Sequence, residues 1–308
     1  MRISCLAVLT FAALMAPEPA SVRARQAPEP VVFSPGVISD EKWQWRLTFT
    51  PDGRTAYFSE SDGFFPASRK GSIYVSQRRG GAWSAPELAP FSGTHSDMDP
   101  FVTPDGNRLY FSSIRPGGGV DRPDLDLWMV EKRGRGWSDP VRLGPDVNSD
   151  ADELYASASS DGTLYFASGP LAPAPGQHFD IFRARRAGTG FAAREALGPG
   201  VNTQPSASDA TPVAAWEFNP EISADGTLLV FASLRPGGLG LGDLYASRFE
   251  NGAWSAAVNL GAPVNTAADE YHPTLSRDGR QLYFVRRPGS HGDFFIVPVA
   301  AVPALRRP

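Results

Sequence analysis

The sequence is poor in the residues that build metal centres and disulfides, with one cysteine and four histidines among 308 residues. A single cysteine excludes a disulfide framework and a multi-cysteine metal site. The histidines are scattered, so they indicate neither a His-x-x-x-His metal pair nor a catalytic triad. An excess of positive charge is also absent, because the formal net charge is −4. That balance argues against nucleic-acid binding.

Several catalytic and cofactor-binding motifs are missing as well. The chain has no Gly-x-Ser-x-Gly sequence, and its glycine-rich stretch at 237–242 lies in an expected hairpin loop. A phosphate-binding loop would instead open a helix. What the chain has in excess is glycine and proline, with 31 and 29 residues. That composition, with an ordinary hydrophobic fraction, is typical of a globular domain with many turns and short strands.

The first 27 residues have the composition of an export signal. Arg2 follows Met1, an apolar run covers residues 3–16, and small residues and prolines come next. This order predicts a secretory signal peptide. The run is too short to span a bilayer, and Cys5 lies too early for a lipid anchor. The candidate cleavage sites follow Ala16, Ala20 and Ala24. We therefore expect a periplasmic or secreted protein with no transmembrane segment in the mature chain.

One motif recurs five times along the rest of the chain. It consists of a short apolar strand, an Asp-Gly turn and a second strand with aromatic residues. The copies cover residues 47–60, 100–113, 155–168, 219–233 and 272–286. Their turn aspartates are Asp52, Asp105, Asp161, Asp225 and Asp278. Two apolar runs around Asp-Gly predict a β-hairpin, because glycine adopts a positive φ without a Cβ penalty.

Each hairpin is followed by a third strand pattern, and the first four also by a fourth. Four antiparallel strands in about 50 residues make a propeller blade. The last unit lacks its fourth strand, and residues 31–33 have the pattern to supply it. The sequence therefore predicts an all-β, five-bladed β-propeller over residues 28–302, closed by the N-terminal strand. Six blades, with a degenerate copy hidden in the longest interval, and a two-sheet sandwich are the alternatives.

The repeat also resembles a known family. The stretches NPEISADG, ASLRPGGLGLGDLYASR and WSAAVNLGAPVN resemble TolB-type, WD-repeat-like propeller repeats of exported bacterial proteins. The resemblance covers about residues 30–300 and implies the propeller fold. It implies no specific activity, because the family hosts binding and scaffolding proteins and a fold does not determine function.

An acidic ring is expected at the mouth of the central channel. Eight residues before each turn aspartate lies a side chain that we expect to enter this mouth. The five are Gln44, Asp97, Glu153, Glu217 and Glu270. Such a ring could bind a basic peptide, a sugar or a cation such as Ca²⁺, which takes carboxylate oxygens. The favoured interpretation is structural: each acid caps backbone amides or pairs with an arginine of the next blade, because a buried acid needs such a partner. The candidate arginines are Arg115, Arg235 and Arg287.

Long loops are expected on the same face. The insertion before Glu217 ends in Trp216, which we expect to overhang the channel, and His272 is a further neighbour of the ring. Long loops on a rigid scaffold commonly carry binding sites. We therefore take Trp216, His272 and the five ring positions as candidate binding residues.

Two functions remain open from the sequence. The favoured one is a non-catalytic binding protein of the cell envelope with a protein or glycan partner. The alternative is a carbohydrate-active enzyme, since glycoside hydrolysis needs two carboxylates at a set separation. No cofactor is predicted apart from the open case of Ca²⁺, and a closed propeller is expected to be a monomer. A catalytic pair should break the repeat symmetry and include an acid of raised pKa.

Overall fold

The computed structural model describes residues 28–63, 68, 70–117, 124–171, 177–204, 213–289 and 291–306. The predicted signal peptide lies outside these ranges and stays a prediction. Within them the chain forms five small antiparallel sheets, arranged as a five-bladed β-propeller. The prediction of five blades is confirmed, and the alternatives of six blades or a sandwich are wrong.

Blades 1 to 3 follow one another along the chain. Blade 1 consists of β2 (Trp43–Phe49), β3 (Thr55–Ser61), β4 (Gly71–Arg79), β5 (Ala82–Trp83) and β6 (Glu87–Leu88). Blade 2 consists of β7 (Asp97–Val102), β8 (Arg108–Ser113), β9 (Asp126–Arg133), β10 (Gly136–Trp137) and β11 (Val141–Arg142). Blade 3 consists of β12 (Asp152–Ala158), β13 (Leu164–Gly169), β14 (Asp180–Ala184), β15 (Arg186–Ala187), β16 (Gly190–Phe191) and β17 (Glu195–Ala196).

Blades 4 and 5 complete the ring. Blade 4 consists of β18 (Glu217–Ile222), β19 (Leu228–Ser233), β20 (Asp243–Glu250), β21 (Ala253–Trp254) and β22 (Val258–Asn259). Blade 5 consists of β23 (Asp269–Leu275), β24 (Gln281–Arg287), β25 (Asp293–Pro298) and β1 (Val31–Val32). Two 3₁₀ turns, Val299–Ala301 and Pro303–Leu305, follow β25. Neither these turns nor any other helix among the described residues is long and apolar enough to cross a membrane.

The N-terminal strand closes the propeller as the sequence predicts. Val31 lies opposite Ile296 and Val32 opposite Phe295 in an antiparallel pair. The next amide, of Phe33, donates to the carbonyl of Phe294 at 2.7 Å. This pairing joins the two ends of the ring by hydrogen bonds and covers the outer edge of β25.

The fourth strand of a blade is shorter than the pattern indicates. In blade 1 it divides into β5 and β6, which both pair with β4. Between them the hydroxyl of Ser84 accepts the amide of Gln77 at 3.1 Å, and Pro86 has no amide to donate. A serine hydroxyl and a proline thus interrupt the ladder where the sequence suggested a continuous strand.

The core lies between neighbouring blades. The second and third strands of each blade supply buried aromatic and aliphatic side chains, such as Phe58, Phe111 and Phe231. The side chain of Trp137 ties two blades together by donating to the hydroxyl of Tyr57 at 3.0 Å. The inner strands β2, β7, β12, β18 and β23 surround the central channel and pack against each other.

Candidate functional site

The acids eight residues before each turn aspartate are fully buried. Their carboxylates contact an arginine of the same blade and not of the next blade, and they are buried and not exposed at the channel mouth, so both parts of the prediction are wrong. The pairs are Asp97 with Arg115 at 2.6 Å, Glu153 with Arg194 at 2.7 Å, Glu217 with Arg235 at 3.0 Å and Glu270 with Arg286 at 2.7 Å. The structure therefore uses these acids to hold each blade together, and a role in ligand binding stays a prediction.

Two of the three candidate arginines bind a ring acid, each within its own blade, and the third does not. Arg115 and Arg235 bind the acids of blades 2 and 4, whereas Arg287 binds Asp269 and leaves Glu270 to its neighbour Arg286. Blade 3 has no Arg-Pro-Gly sequence after its second strand, and Arg194 from its outer part binds Glu153 instead. Arg286 and Arg287 are adjacent in β24, so their side chains point to opposite faces of the sheet. This is why Arg286, and not Arg287, reaches Glu270.

Hydroxyl and amide groups add to the pairing of the acids in blades 3 to 5, whereas Oδ2 of Asp97 has no hydrogen-bond partner among the described residues. Glu217 accepts the amide and hydroxyl of Thr203, both at 2.9 Å, and the hydroxyl of Ser233 at 2.9 Å. Glu153 and Glu270 are held in the same way, and burial raises the pKa of both while these hydrogen bonds oppose the rise. A buried carboxylate that is saturated in this way has little capacity left for a ligand.

Gln44 is the exception at this position in blade 1. Its amide nitrogen donates to the carbonyl of Ile38 and, at 3.1 Å, to a carboxylate oxygen of Asp40. It is 1% exposed and does not face the channel.

A second set of residues does line the channel, six residues before each turn aspartate. We call it the axial ring. Its members are Arg46, Asp99, Tyr155, Asn219 and His272. Each lies at a register shift in the inner strand of its blade. Four of the five have a positive φ, between 49° and 63°. A β-bulge redirects a side chain in this way, so the backbone of every blade aims one side chain at the axis.

The polar groups of the axial ring are incompletely paired. A carboxylate oxygen of Asp99 lies 3.5 Å from Nδ1 of His272, and neither atom has a hydrogen-bond partner among the described residues. The side-chain oxygen of Asn219 accepts the amide of His272 at 3.2 Å, which leaves its Nδ2 group without a partner in the described chain. Buried polar atoms are normally paired, so these three groups are available to a ligand or to water.

Arg46 occupies the closed side of the ring. Its Nη2 binds Glu221 at 2.6 Å, and its Nη1 donates to the carbonyl of Pro220 at 3.2 Å. Arg277 reaches in from the Asp-Gly turn of blade 5 and donates to the carbonyls of Phe49 and Val102. Both guanidinium groups lie over the ring of Phe101, at 5.4 and 5.6 Å. The side chains of Arg46, Arg277 and Phe101 thus fill the turn side of the channel.

Burial sets the protonation states within the ring. It raises the pKa of Asp99 to about 7, although the positive charge of Arg46 opposes the rise. Burial, together with the charge of Arg46, lowers the pKa of His272 well below its ordinary value. At neutral pH the imidazole is therefore neutral and the carboxyl lies near its midpoint, so the pair can both accept and donate hydrogen bonds.

Aromatic side chains surround the open side of the ring. The His272 ring makes edge contacts with Trp45 and Tyr155, at 5.7 and 5.5 Å. Phe218 adjoins Tyr155 at 6.1 Å and Tyr271 at 5.7 Å. Tyr155, Phe218 and Tyr271 are half-buried, whereas Asp99 and His272 are deeper. Half-buried aromatic side chains thus surround the more deeply buried pair of Asp99 and His272.

Of the remaining candidates, His272 belongs to the axial ring and Trp216 does not. Trp216 is half-buried and packs edge-on against Phe179 at 4.9 Å. Most of the insertion before it, residues 205–212, lies outside the described chain. Within that chain no group of three or more His, Cys, Asp or Glu side chains is arranged to hold a metal ion.

Sequence reasoning missed four of the five axial residues. The signal was present: aligned on the Asp-Gly turns, this position carries a different residue in every blade, whereas the position two residues earlier is acidic in four. The bulge between the two positions could not be read from a period of two, and it reverses which side chain faces the axis.

No protein-family model matches the sequence, and no curated protein matches it either. Solved structures with the same fold include an endo-arabinase from Bacteroides thetaiotaomicron and an α-L-arabinofuranosidase from Lactobacillus brevis. The first has a TM-score of 0.54 at 13% identity, over 88% of this chain and 97% of that one. The second has a TM-score of 0.53 at 13% identity, over 85% of this chain and 90% of that one.

TolB from Acinetobacter baumannii also has this fold. Its TM-score is 0.50 at 14% identity, and the match covers 88% of this chain but only 63% of that TolB. At such identities these structural similarities show the propeller fold alone. Both TolB and glycosidases have this fold, so it does not determine the function.

Proposed function

We propose that the protein is an exported, non-catalytic, TolB-like β-propeller of the cell envelope that binds a protein or glycan partner at its channel mouth. The observation that carries this proposal is the axial ring. One backbone position holds five different residues in five otherwise similar blades, and four of its buried polar atoms have no hydrogen-bond partner among the described residues. Constant positions serve the scaffold, and the variable one supplies specificity.

The arrangement favours binding over hydrolysis. A glycosidase needs two carboxyl groups flanking the bond that is cleaved. In the channel Asp99 is available, but Glu221 is held by Arg46 and by the amide of Leu275 at 3.0 Å. The acids expected to provide a catalytic set are paired to arginines. Asp99, His272 and Asn219 instead offer an acceptor, a neutral imidazole and an amide donor beside aromatic faces, which suits a hydroxyl-rich or peptide surface.

The test is thermal unfolding of the purified protein with oligosaccharides, envelope peptides and CaCl₂, because a ligand of the folded state raises the midpoint. We expect a peptide or an oligosaccharide to raise it, and Asn219→Ala to remove the shift. Glu195→Gln, on the outer rim, is the matched control. A shift with CaCl₂ that Asp99→Asn removes would make the ring a cation site. Turnover of an aryl glycoside that Asp99→Asn abolishes would replace the binding proposal with the enzymatic alternative.

A further inference from the structure

An arginine stacks on the third strand in blades 2 to 5. In each case the guanidinium that binds the buried acid also lies over an aromatic ring of that strand. The pairs are Arg115 over Trp128 at 5.3 Å, Arg194 over Phe182 at 4.9 Å, Arg235 over Tyr245 at 4.7 Å and Arg286 over Phe295 at 4.8 Å. A carboxylate and an aromatic face thus form a binding site for one guanidinium group. In blades 2 to 5 an arginine of the same blade occupies this site.

The described residues of blade 1 keep the acid and the aromatic ring but include no arginine bound to them. The third-strand aromatic of this blade is Tyr74, and its acid, Glu60, lies one strand further out than the acids of the other blades. At the position of Arg115 and Arg235 stands Asp62. Among the described residues, no arginine contacts either Glu60 or the ring of Tyr74.

The other duty of these arginines is taken over by Gln44. Arg115 and Arg235 also donate to a carbonyl in the connection from the preceding blade, at 3.2 and 2.7 Å. In blade 1 the amide of Gln44 donates to the corresponding carbonyl of Ile38. Among the described residues, therefore, Gln44 makes this contact and no arginine occupies the guanidinium position of blade 1.

The guanidinium position of blade 1 lies in a cleft of about 610 Å³ between blades 1 and 2 on the channel-mouth face. Glu60 lines it and is 5% exposed, and its Oε1 has no hydrogen-bond partner in the described part of the chain. Burial raises the pKa of Glu60 more than Lys42 lowers it, so its carboxylate is short of compensating positive charge.

Lys42 does not replace the missing arginine. Its ammonium binds Oε2 of Glu60 at 2.6 Å and lies 5.6 Å from the Tyr74 ring. Its side chain is 55% exposed, whereas the arginines of blades 2 to 5 are 10–26% exposed. An ammonium satisfies one oxygen, while a planar guanidinium can bind both and stack on the ring.

We propose that this cleft is a binding site for a guanidinium group supplied by another molecule, namely an arginine side chain of a peptide partner. Glu60 accepts the guanidinium, Tyr74 stacks on it, and Asp62 adds a second negative charge at the rim. Lys42 swings out as the ligand enters. The choice of a peptide rests on the proposed binding function, but the guanidinium-binding site itself rests on the comparison between blades.

The test uses Nα-acetyl-arginine amide and Nα-acetyl-lysine amide, titrated into the full protein at constant ionic strength and followed by NMR. We expect the arginine amide to bind at least five-fold more tightly than the lysine amide. Glu60→Gln should weaken that binding at least ten-fold, and Lys42→Ala should strengthen it. Glu87→Gln, an exposed acid on the outer strand of the same blade, should leave it unchanged.

A second variant restores what the other blades have. Asp62→Arg should fill the cleft from within, abolish binding of the arginine amide and raise the Tm by about 2 °C. Equal affinity for both amides, or binding unaffected by Glu60→Gln, would overturn the proposal. Binding of the arginine amide that occurs only in the Arg69→Ala variant would also overturn the proposal, because the chain itself would then supply the guanidinium group. Neither amide needs the axial ring, so failure here is distinct from failure of the channel-mouth function.

Discussion

Asp97 and Asp99 lie two residues apart on one strand and have opposite environments. Asp97 accepts Arg115 at 2.6 Å and the hydroxyl of Ser113 at 2.7 Å, and its counterparts in blades 3 to 5 do the same with other arginines. Asp99 has a φ of 56°, faces the axis and has only a long contact with His272. The comparison indicates that the repeated position stabilises the scaffold, whereas the variable axial position is available for function.

The largest expected effect comes from Arg46, the axial residue that forms a buried ion pair with Glu221. Arg46→Met leaves Glu221 buried without its cation, which should cost about 3–5 kcal/mol. The denaturant midpoint should therefore fall sharply. Combining Arg46→Met with Glu221→Gln removes the uncompensated charge and should recover most of the loss. If the double variant is as unstable as the single one, the ion pair is not the reason for the cost.

A smaller loss is expected at a repeated acid. Glu217→Ala leaves Arg235 and two hydroxyl groups without their acceptor and should cost about 3 kcal/mol. The control is Glu195→Ala, which breaks exposed pairs to Arg183 and Arg185 and should lower the midpoint far less, because solvent screens exposed pairs. Equal midpoints for the two variants in urea would mean that the repeated acids are not scaffold elements.

The smallest effect is expected at the turns. In blade 5 the carboxylate of Asp278 accepts the amide of Arg280 at 3.0 Å and the hydroxyl of Ser276 at 2.6 Å. Asp278→Ala should cost about 1 kcal/mol, as for a lost side-chain cap. Asp278→Asn keeps the acceptor and should retain most of that stability. A calorimetric scan of both variants separates the hydrogen bonds from the charge.

Much of the fold follows from local sequence. Each Asp-Gly turn fixes a hairpin, and Val31 and Val32 close blade 5 because the last unit has no outer strand of its own. The site follows less well. Counting back from Asp105 reaches Asp97 and Asp99 alike, and only the bulge decides which faces the axis. Arg194 could not be assigned to Glu153, since no motif links them and folding alone brings them together.

Blade 1 shows the same limit. The replacement of an arginine by Asp62 is visible in the aligned repeats. That Gln44 then takes over the carbonyl of Ile38 depends on side-chain geometry across the closure of the ring, between segments that a repeat pattern treats as equivalent.

The most direct test of the central claim compares Asp97→Asn with Asp99→Asn by thermal unfolding at pH 5 and pH 8. A carboxyl whose folded pKa is raised contributes stability that is full below its unfolded pKa, near 4, and is lost as the pH rises through about 7. For Asp99 that loss is at most about 4 kcal/mol. Asparagine does not ionise, so the Asp99→Asn variant does not lose this stability as the pH rises.

We predict that Asp99→Asn has a higher midpoint than the unmodified protein at pH 8 and a smaller advantage at pH 5. Asp97→Asn should have a lower midpoint at both pH values, because Arg115 loses its carboxylate. Two variants that lower the midpoint equally at pH 8 would contradict the division between a repeated scaffold and a variable axial ring.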